Sequence, residues 1–359
     1  MHSTALHMAF NILVLGEKDV RKCLSMKDCL DINRKAFLSL TTPNAVVPSR
    51  LALPYPNPST PEDWTLFKPA ALYCDATADA KTTATGMTTT AASTMGMKLV
   101  SVRANNPPQH PLVPATIMMI RPETGMVEGF MSATYLTGAR TATGPALASF
   151  LCRPDAHHVV MFGAGLQAET HMDALACTLP SLTHLTIVNR SRPRAEQLVQ
   201  TVTARDNKTL QGLVTSIVLL SDTPAVHAAL SQADVICATT NSLVPLFEHY
   251  GHVKPGCHIN SIGSYTPDMT EIPPGLVSCS TVLVDTMDAM TVGDLKHLPP
   301  DHPHCLLGHA LQHPTWLTDN KMEYTFFKGV GTAIQDVMTG AMVLERAKEL
   351  GLGTQLDMT

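Results

Sequence analysis

The stretch from Val159 to Ala168 reads VVMFGAGLQA, and it decides the fold of the central part of the chain. Four apolar residues typical of a buried strand run directly into a Gly-x-Gly-x-x-Ala turn, and a helical pattern follows. Gly163 permits a tight turn, Gly165 lets the backbone approach a pyrophosphate, and Ala168 allows the helix to pack closely on the strand. A Gly-x-Gly turn alone is common, but its flanking strand and helix favour a dinucleotide-binding loop.

Five further apolar runs follow along the chain, and helical segments separate them. The six candidate strands are Val159 to Phe162, Leu185 to Val188, Thr215 to Leu219, Val235 to Ala238, His258 to Ile262 and Val282 to Asp285. Strands that are apolar along their whole length are typical of a parallel sheet covered on both faces. Six such strands with intervening helices predict an α/β fold with a doubly wound Rossmann domain.

The sequence on either side of this region has a different pattern. Apolar stripes predict helices over residues 26–40, 137–151 and 332–350, and the last of these should stop at Gly351. Proline-punctuated, strand-like sequence around residues 46–72 and 97–131 favours antiparallel strands. Residues 76–97, within a longer stretch 71–97, are almost entirely Ala, Thr, Met and Gly, and we expect an extended loop or a hairpin insertion there.

Composition excludes several classes of function. The 359 residues include 25 basic and 30 acidic side chains, a net charge of -5, and no basic block that would bind nucleic acid or an anionic membrane. No apolar run approaches the roughly 18 to 20 residues that span a bilayer. The nine cysteines are odd in number and form no Cys-x-x-Cys motif, and the N-terminus lacks a signal-peptide pattern. We therefore expect a cytoplasmic protein.

The residues after the second candidate strand bear on the choice of cofactor. NAD-binding domains commonly present an acidic residue there to the ribose hydroxyls. This chain instead reads Asn189-Arg190-Ser191-Arg192, and Arg190 can pair with a 2'-phosphate that a carboxylate would repel. The sequence thus favours NADPH over NADH. The alternative is that Arg190, Arg192 and Arg194 form the solvated start of a helix.

Three basic residues outside the dinucleotide region are candidates for binding a substrate carboxylate. Arg50, Lys98 and Arg140 lie in otherwise weakly charged sequence, in strands or at a helix start. Together they could hold a carboxylate, and an arginine can bind both of its oxygens. Taken singly, each is more often a surface charge with a solvated head. Thr137 and Thr141 flank Arg140, and they either cap the helix or bind a phosphate.

Histidines crowd the segment 297–313. The spacings His302-Pro303-His304 and His309-x-x-x-His313 resemble those of metal ligands. No cysteine or carboxylate is spaced to complete a tetrahedral site, and prolines mark the first part as a loop, so we expect no metal centre there. The sequence also has no Gly-x-Ser-x-Gly signature of a serine hydrolase.

Six motifs in one order resemble the ornithine cyclodeaminase and mu-crystallin family. The matching segments are Val47-Pro48-Ser49-Arg50, Gly96-Met97-Lys98-Leu99-Val100, Leu136-Thr137-Gly138-Ala139-Arg140-Thr141-Ala142, Gly163-Ala164-Gly165-Leu166-Gln167-Ala168, Val253-Lys254-Pro255-Gly256-Cys257-His258-Ile259-Asn260 and Phe327-Lys328-Gly329-Val330-Gly331. The resemblance covers nearly the full length apart from segment 71–97. It implies a dimer in which an α+β substrate-binding and dimerisation domain, residues 1–145 and 320–359, surrounds an inserted Rossmann domain of residues 146–319.

The resemblance also implies roles for individual residues. Arg50, Lys98 and Arg140 would bind the carboxylate of an amino or imino acid beside the nicotinamide, with Lys98 a candidate proton donor. Tyr265 would line the substrate pocket. The residues expected around the cofactor are Thr141, Gly163, Ala164, Gly165, Leu166, Gln167, Asn189, Arg190, Arg194, Thr239 and Gly331.

Two departures from the family pattern bear on the reaction. Cyclodeaminases of this family carry an acidic residue shortly after the glycine of the loop that here reads Ile262-Gly263-Ser264-Tyr265, and Tyr265 occupies that position. An Asp-Gly pair that often precedes the helix of Arg140 is replaced by Ser132-Ala133. The cyclisation of ornithine needs a proton acceptor in reach, so both losses argue against it.

The sequence therefore favours an NADPH-dependent reductase of a C=N bond next to a carboxylate, in a cyclic ketimine or an imino acid, as in the mu-crystallin-like ketimine reductases. An ornithine cyclodeaminase-type lyase that releases ammonia is the first alternative. A protein that binds NADPH without turnover is the second. The expected partner is a small imino or amino acid, with no nucleic acid or membrane partner, and the expected assembly is a homodimer.

Overall fold

The chain divides into two compact units. The computed structural model describes residues 11–55, 63–74, 81–82, 88–89, 93–103, 105–107, 109–248 and 250–359. Unit 1 comprises Met1–Ser25, Thr42–Thr137 and Thr332–Thr359, and unit 2 comprises Met26–Thr41 and Gly138–Gly331.

These units differ from the predicted division at three places. The first change lies at Gly138, within a helix, rather than after residue 145, and the second lies at Thr332 rather than at residue 320. Residues 320–331 stay in unit 2 because Tyr324–Lys328 is a strand inside its sheet. The helix Met26–Ser39 belongs to unit 2, because it packs against the helices Leu166–Thr178 and Leu307–Gln312 of that unit.

Unit 1 is built on one mixed, mostly antiparallel sheet. Its elements are β1 (Asn11–Leu15), α1 (Glu17–Cys23), β2 (Ala45–Val46), β3 (Leu51–Pro54), β4 (Trp64–Leu72), β5 (Lys81–Thr82), β6 (Thr88–Thr89), β7 (Thr94–Val102), β8 (Ala115–Ile120), β9 (Val127–Ser132), α11 (Ala333–Leu350) and β18 (Thr354–Asp357). The strands run in the order β18-β1-β9-β8-β7-β4-β2, and β3 also pairs with β4. The separate strands β5 and β6 pair only with each other.

Helix α11 covers one face of this sheet. It packs on β4, β7 and β8, where alternate side chains of the strands are buried. Gly129 in β9 allows close packing, because a Cβ there would lie 2.7 Å from Cδ1 of Leu344. Gly351 adopts the left-handed conformation with φ +63°, and it ends the helix as predicted.

The opposite face of the sheet carries rows of apolar side chains, and we refer to it as the outer face. Leu51 pairs with Phe67, which in turn pairs with Leu99 on β7. Met118 pairs with Phe130 on the same face. Leu51 is 59% exposed and Leu99 is 37% exposed. Phe67, Met118 and Phe130 are half-buried, so the outer face carries apolar side chains that are partly open to solvent in the single chain.

Unit 2 is a doubly wound α/β domain. Its elements are α2 (Met26–Ser39), most of α3 (Thr134–Cys152), β10 (His158–Phe162), α4 (Leu166–Thr178), β11 (His184–Asn189), α5 (Arg192–Thr203), α6 (Lys208–Gln211), β12 (Val214–Leu219), α7 (Thr223–Leu230), β13 (Val235–Ala238), β14 (His258–Ser261), α8 (Pro274–Ser278), β15 (Ser280–Val284), β16 (His304–Leu306), α9 (Leu307–Gln312), α10 (Thr315–Asp319) and β17 (Tyr324–Lys328). The parallel strands run in the order β12-β11-β10-β13-β14-β17-β15-β16.

The strand order of unit 2 reverses beside β10, with β11 and β12 on one side and β13 and β14 on the other. Side chains of β10 alternate between two buried clusters, with Val159 and Met161 in one and Val160 and Phe162 in the other. Both faces are thus covered, and the predicted α/β fold with a Rossmann domain is confirmed. Ligands of such sheets bind outside the carboxyl ends of the strands at the reversal point.

Elements outside the six predicted strands are present with shifted ends. Helix α3 begins at Thr134 rather than at residue 137, and α11 begins at Ala333. In segment 71–97 a short hairpin is present, with Lys81 opposite Thr89, while residues 75–80, 83–87 and 90–92 lie outside the described residues. None of the helices in the described part of the chain combines the length and the apolar character needed to cross a bilayer.

Candidate active site

The dinucleotide loop lies between β10 and α4, at the reversal point of the unit 2 sheet. Gly163 has φ +107°, and a Cβ there would lie 2.8 Å from Oγ1 of Thr239, so a larger residue would be strained. That hydroxyl donates to the carbonyl of Phe162 at 2.8 Å, which fixes Thr239 beside the loop. Gly165 has open space where a Cβ would stand and no side chain to cap the first N–H groups of α4. These groups fit a pyrophosphate.

Three further loop residues were expected to contact the cofactor, namely Ala164, Leu166 and Gln167. Ala164 and Leu166 are half-buried, and Leu166 lies against Gly138, where an added Cβ would be 3.2 Å from its Cγ. Oε1 of Gln167 is buried and has no hydrogen-bond partner among the described residues. The structure therefore brings all three to the start of α4, where a bound pyrophosphate would lie.

The end of β11 presents an amide and a basic cluster. Nδ2 of Asn189 donates to the carbonyl of Ser191 at 2.9 Å, where the chain turns into α5. Arg190, Arg192 and Arg194 are all exposed around this turn. Since β11 neighbours β10, these guanidinium groups stand where a Rossmann domain meets the adenosine ribose of its cofactor.

Arg140 lies against Gly331 within unit 2. Gly331 has φ +77°, and a Cβ there would lie 2.5 Å from Nη1 of Arg140. Asp285 holds this turn, because its Oδ2 accepts the N–H groups of Val330 at 2.9 Å and of Gly331 at 2.5 Å. Arg140 is only 5% exposed, and Thr141 after it is half-buried. The structure thus joins a predicted carboxylate-binding residue to a predicted cofactor-binding glycine.

Lys98 is fully buried in the centre of the unit 1 sheet. Its Nζ lies 2.6 Å from Oδ1 of Asp336 and 3.4 Å from Oγ1 of Thr137. Lys68 stands directly opposite on β4, and its Nζ lies 3.6 Å from the second oxygen of the same carboxylate. One carboxylate in the first turn of α11 therefore lies between two ammonium groups that are withdrawn from solvent.

Arg50 belongs to the same cross-strand row. It immediately precedes β3, whose first residue, Leu51, pairs with Phe67. Continuing this antiparallel register by one residue brings the backbone of Arg50 opposite Lys68, which is itself opposite Lys98. Unit 1 therefore carries two of the three predicted carboxylate-binding residues in one row.

Lys68 and Asp336 are site residues that the sequence patterns did not predict. The alternating pattern of β4 could have identified Lys68, because Leu66 and Ala70, two residues away on either side, are both buried. Asp336 gave no comparable signal, since a carboxylate in the first turn of a helix is ordinarily explained by the helix dipole.

A second buried group of charges ties together the loops at the carboxyl ends of the unit 2 strands. Glu271 accepts four hydrogen bonds. Its Oε1 accepts from the backbone N–H and the hydroxyl of Thr240, both at 2.7 Å. Its Oε2 accepts from the N–H groups of Gly263 at 2.7 Å and Ser264 at 3.1 Å. Burial raises the pKa of Glu271, and the ammonium of Lys328 opposes that rise.

Asp294 and Lys328 complete this group. Oδ2 of Asp294 accepts from the hydroxyls of Ser261 and Ser264, each at 2.5 Å, and its Oδ1 accepts the N–H of Glu271 at 2.7 Å. Nζ of Lys328 donates to Ser261 at 2.9 Å and to Ser264, and lies 3.7 Å from Oδ2 of Asp294. Burial lowers the pKa of Lys328, while the neighbouring carboxylates oppose that change. Lys328 lies in the motif Phe327-Lys328-Gly329-Val330-Gly331, but its sequence context alone predicts no role for it.

Tyr265 follows this group in the loop after β14, and it is half-buried. Two carboxylates lie near it in the sequence. Glu271 has both oxygens occupied by two donors each, and Asp268 is exposed. Each carboxylate oxygen has two lone pairs, so Glu271 has no acceptor site left for a substrate proton.

The histidine-rich segment 297–313 makes local contacts. A ring nitrogen of His302, Nε2, lies 2.7 Å from the carbonyl oxygen of Ser280, and the rings of His309 and His313 lie 4.9 Å apart. Across the described part of the chain, no three His, Cys, Asp or Glu side chains are grouped as a metal site.

The profile of the Ornithine cyclodeaminase/mu-crystallin family matches residues 69–351. The chain belongs to this family. The resemblance inferred from the six sequence motifs is thereby confirmed.

Relatives of this family member include both kinds of enzyme considered above. An uncharacterized cyclodeaminase of Dictyostelium discoideum is 26% identical over 388 residues, covering 97% of this chain and 100% of that protein. A Delta(1)-pyrroline-2-carboxylate reductase of Bacillus cereus is 24% identical over 357 residues, covering 96% and 100%. The solved structure of the Thermococcus litoralis Delta(1)-pyrroline-2-carboxylate reductase in complex with NADH and L-proline is 25% identical, covers 96% of this chain and 99% of that one, and has a TM-score of 0.79.

Proposed function

We propose that this member of the ornithine cyclodeaminase/mu-crystallin family is an NADPH-dependent reductase of a C=N bond next to a carboxylate. The substrate class is a cyclic ketimine or an imino acid, and the product is the corresponding amino acid. Relatives named as Delta(1)-pyrroline-2-carboxylate reductases support the reaction class.

The residues around Tyr265 are the observation that favours reduction over cyclodeamination. A cyclodeaminase needs a proton acceptor where its substrate amine reacts. The position that bears an acid in cyclodeaminases is Tyr265 here, and the nearby Glu271 has all its acceptor sites occupied. Reduction of an imine needs no such base, because its nitrogen takes up a proton rather than giving one up.

The chain's own residues supply charge and position for this reaction. NADPH, when bound, supplies the hydride that the imine carbon accepts. Arg50, Lys98 and Arg140 bind and neutralise the substrate carboxylate, which orients the C=N bond. Nζ of Lys98 also holds the proton that the imine nitrogen gains, and Asp336, 2.6 Å away, keeps that ammonium in place. Tyr265 lines the pocket for the substrate side chain.

The preference for NADPH rests on the turn after β11. Arg190 and Arg194 are exposed there, and residues 189–192 include no carboxylate that would repel a 2'-phosphate. Thr141, Asn189, Thr239 and Gly331 are assigned to the remainder of the cofactor site, together with the glycine loop.

A homodimer is the proposed assembly, formed through the outer face of the unit 1 sheet. Leu51, Phe67 and Leu99 form an apolar row there, and half-buried Met118 and Phe130 extend it; Leu51 and Leu99 are exposed. An apolar face of this kind is ordinarily covered by a partner, and the same face of a second copy of the chain is equally apolar. We therefore propose that the two faces pack against each other. Light scattering in solution should give twice the chain mass of 38.6 kDa.

The proposed compartment is the cytoplasm. All nine cysteines lie in the described part of the chain, and none of them forms a disulfide. Burial raises the pKa of Cys237 to about 12 and that of Cys29 to about 12, which keeps both as thiols. Reduced cysteines of this kind are typical of a reducing compartment.

The decisive experiment follows NADPH absorbance at fixed enzyme with a panel of cyclic imines and of 2-oxo acids mixed with amines. Ornithine with NAD serves as the parallel control. Oxidation of NADPH by one class supports the reductase and begins to define its substrate. Ammonia release from ornithine, with no NADPH oxidised across the panel, would replace it with the lyase. NADPH binding without either reaction would favour a binding role.

A further inference from the structure

We propose that Lys328, Asp294 and Glu271 are positioning residues that fix the loop Gly263–Tyr265 at the nicotinamide end of the cofactor site. Together with Ser261 and Ser264 they form what we term the positioning network. The proposal rests on the reductase function above and deepens it, because it identifies what holds the substrate-facing loop in place.

The loop is continuous with the dinucleotide site through the strand between them. Thr239 contacts Gly163 of the dinucleotide loop. The next residue, Thr240, contacts Gly263 of the loop Gly263–Tyr265. A Cβ on Gly263 would lie only 1.4 Å from the carbonyl oxygen of Thr240, so the two backbones are in direct contact. Glu271 then joins Thr240 to the N–H groups of Gly263 and Ser264.

The position of the loop in the sheet indicates which half of the cofactor it faces. The ribose-binding turn follows β11, on one side of β10, and the loop follows β14, beyond β13 on the other side. A dinucleotide lies across the reversal point, with its pyrophosphate at the start of α4. Its adenosine half lies towards β11, and therefore its nicotinamide half lies towards β13 and β14.

Buried hydrogen bonds hold the loop from several elements of unit 2. The loops after β13, β14 and β15 and the last residue of β17 meet at the network, and they bring Thr240, Ser264, Asp294 and Lys328 together. Gly293, with φ +58°, lets the loop after β15 approach, since a Cβ there would be 2.0 Å from the carbonyl oxygen of Ser264. Moving Ser264 would break bonds to both Asp294 and Glu271.

Stability alone is a poor explanation for such a network. Buried charges lose their hydration, and well-packed apolar side chains of similar volume are often at least as stabilising. The side chains of Lys328, Asp294 and Glu271 are almost entirely buried, so that cost applies to all three. Hydrogen bonds between charged and polar groups are directional, whereas apolar packing is not. The network therefore holds the loop in one position.

The test uses Ser264→Ala, which removes the hydroxyl between Lys328 and Asp294, in the full-length protein with NADPH. Ser278→Ala is the matched control, because Ser278 is exposed in the same unit and its hydroxyl bonds only to the carbonyl of Pro274 among the contacts described. Three quantities are measured for each variant, namely NADPH affinity, kcat and KM for the imine, and hydrogen exchange of the Gly263 and Ser264 amides.

The proposal predicts that Ser264→Ala exposes both amides to exchange and lowers kcat/KM on the order of tenfold, while NADPH affinity changes less than about twofold. Ser278→Ala should match the wild type in all three. Unchanged kcat/KM with exposed amides would overturn the proposal, and so would an equal loss of NADPH affinity, because either result indicates a general structural role.

Lys328→Met provides a second variant that removes the ammonium and keeps the length of the side chain. Where it folds, it should repeat the Ser264→Ala result more strongly, and normal kinetics would again overturn the proposal. Failure of the reductase function itself remains distinguishable. In that case the wild type reduces no imine, whereas the protection of the Gly263 and Ser264 amides, and its loss in Ser264→Ala, still reports on the network.

Discussion

Nζ of Lys98 lies 2.6 Å from Oδ1 of Asp336, and Lys68 approaches the other oxygen of the same carboxylate at 3.6 Å. The carboxylate of Asp336 therefore joins β4, β7 and α11 at one buried point, and it holds both ammonium groups on the same face of the sheet.

Replacing Lys98 tests its role directly. Lys98→Ala should lower kcat/KM for an imino acid by at least about a hundredfold, because it removes both a carboxylate partner and the proposed proton donor. Lys18→Ala is the control, since Lys18 is an exposed lysine of the same unit. Steady-state kinetics measure the effect, and full efficiency in Lys98→Ala would show the assignment to be wrong.

The contact between Gly331 and Arg140 predicts a specific binding defect. Gly331→Ala places a Cβ 2.5 Å from Nη1 of Arg140, so the guanidinium must move and KM for the imino acid should rise about tenfold or more. The left-handed backbone adds a cost of about 1 to 2 kcal/mol to folding. Gly351→Ala is the matched control, because Gly351 is also left-handed but has nothing within 4 Å of the added Cβ. Equal KM values in the two variants would contradict the role of this contact.

The arginines after β11 predict the cofactor preference. Arg190→Asp should reduce the ratio of kcat/KM for NADPH to that for NADH by about tenfold to a hundredfold, since a charged hydrogen bond contributes about 1.5 to 3 kcal/mol. Kinetics with each cofactor measure the ratio. Arg121→Asp, at an exposed position of unit 1, should leave the ratio as it is. A wild type that already prefers NADH would refute the preference outright.

Tyr265 predicts a gain of activity. Tyr265→Asp restores a carboxylate at the position where cyclodeaminases carry one, and ammonia release from ornithine with catalytic NAD should then exceed that of the wild type. Thr266→Asp places the same group one residue further along the loop and serves as the control. No difference between the two variants would mean that the missing carboxylate is not what separates the reactions.

Two buried histidines predict how stability depends on pH. Burial lowers the pKa of His171 to about 4 and that of His258 to about 3. Below pH 6.5 these two histidines bind protons in the unfolded chain but not in the folded chain. The free energy of unfolding therefore falls as the pH drops from 6.5 towards 4. Each histidine contributes a loss of at most about 1.4 kcal/mol per pH unit.

Urea unfolding at pH 7 and at pH 5 measures this loss. His171→Gln should lose less stability between the two values than the wild type, because one of the titrating groups is gone. His313→Gln, at an exposed position, should lose as much as the wild type. An unaltered pH dependence in His171→Gln would contradict the assignment.

The Rossmann domain could be predicted from the sequence because its signals are local. The turn from Phe162 into Gly163 and the apolar runs each show their structure within a few residues. The strand β17 was missed as a member of that sheet, since it follows β16 in the chain but pairs between β14 and β15. Such long-range pairing leaves no local trace in a single sequence.

The residues of the candidate site likewise fall into those that the sequence could predict and those that it could not. Arg50, Lys98 and Arg140 could be proposed because a cation is conspicuous in weakly charged sequence. Asp336 and Lys328 could not, because their significance lies in partners far away in the chain, such as Lys98 for the former and Ser261 for the latter. A side chain's neighbours across a sheet depend on register, which no single residue specifies.

Lys98 and Leu99 are neighbours in β7, yet they face opposite sides of the sheet. A one-residue slip in the pairing of β7 with β4 would therefore turn the leucine towards Asp336 and the ammonium towards the outer face. The proposed carboxylate site and the proposed dimer face therefore share one strand. Any change in the pairing of β7 with β4 would alter both in a single step.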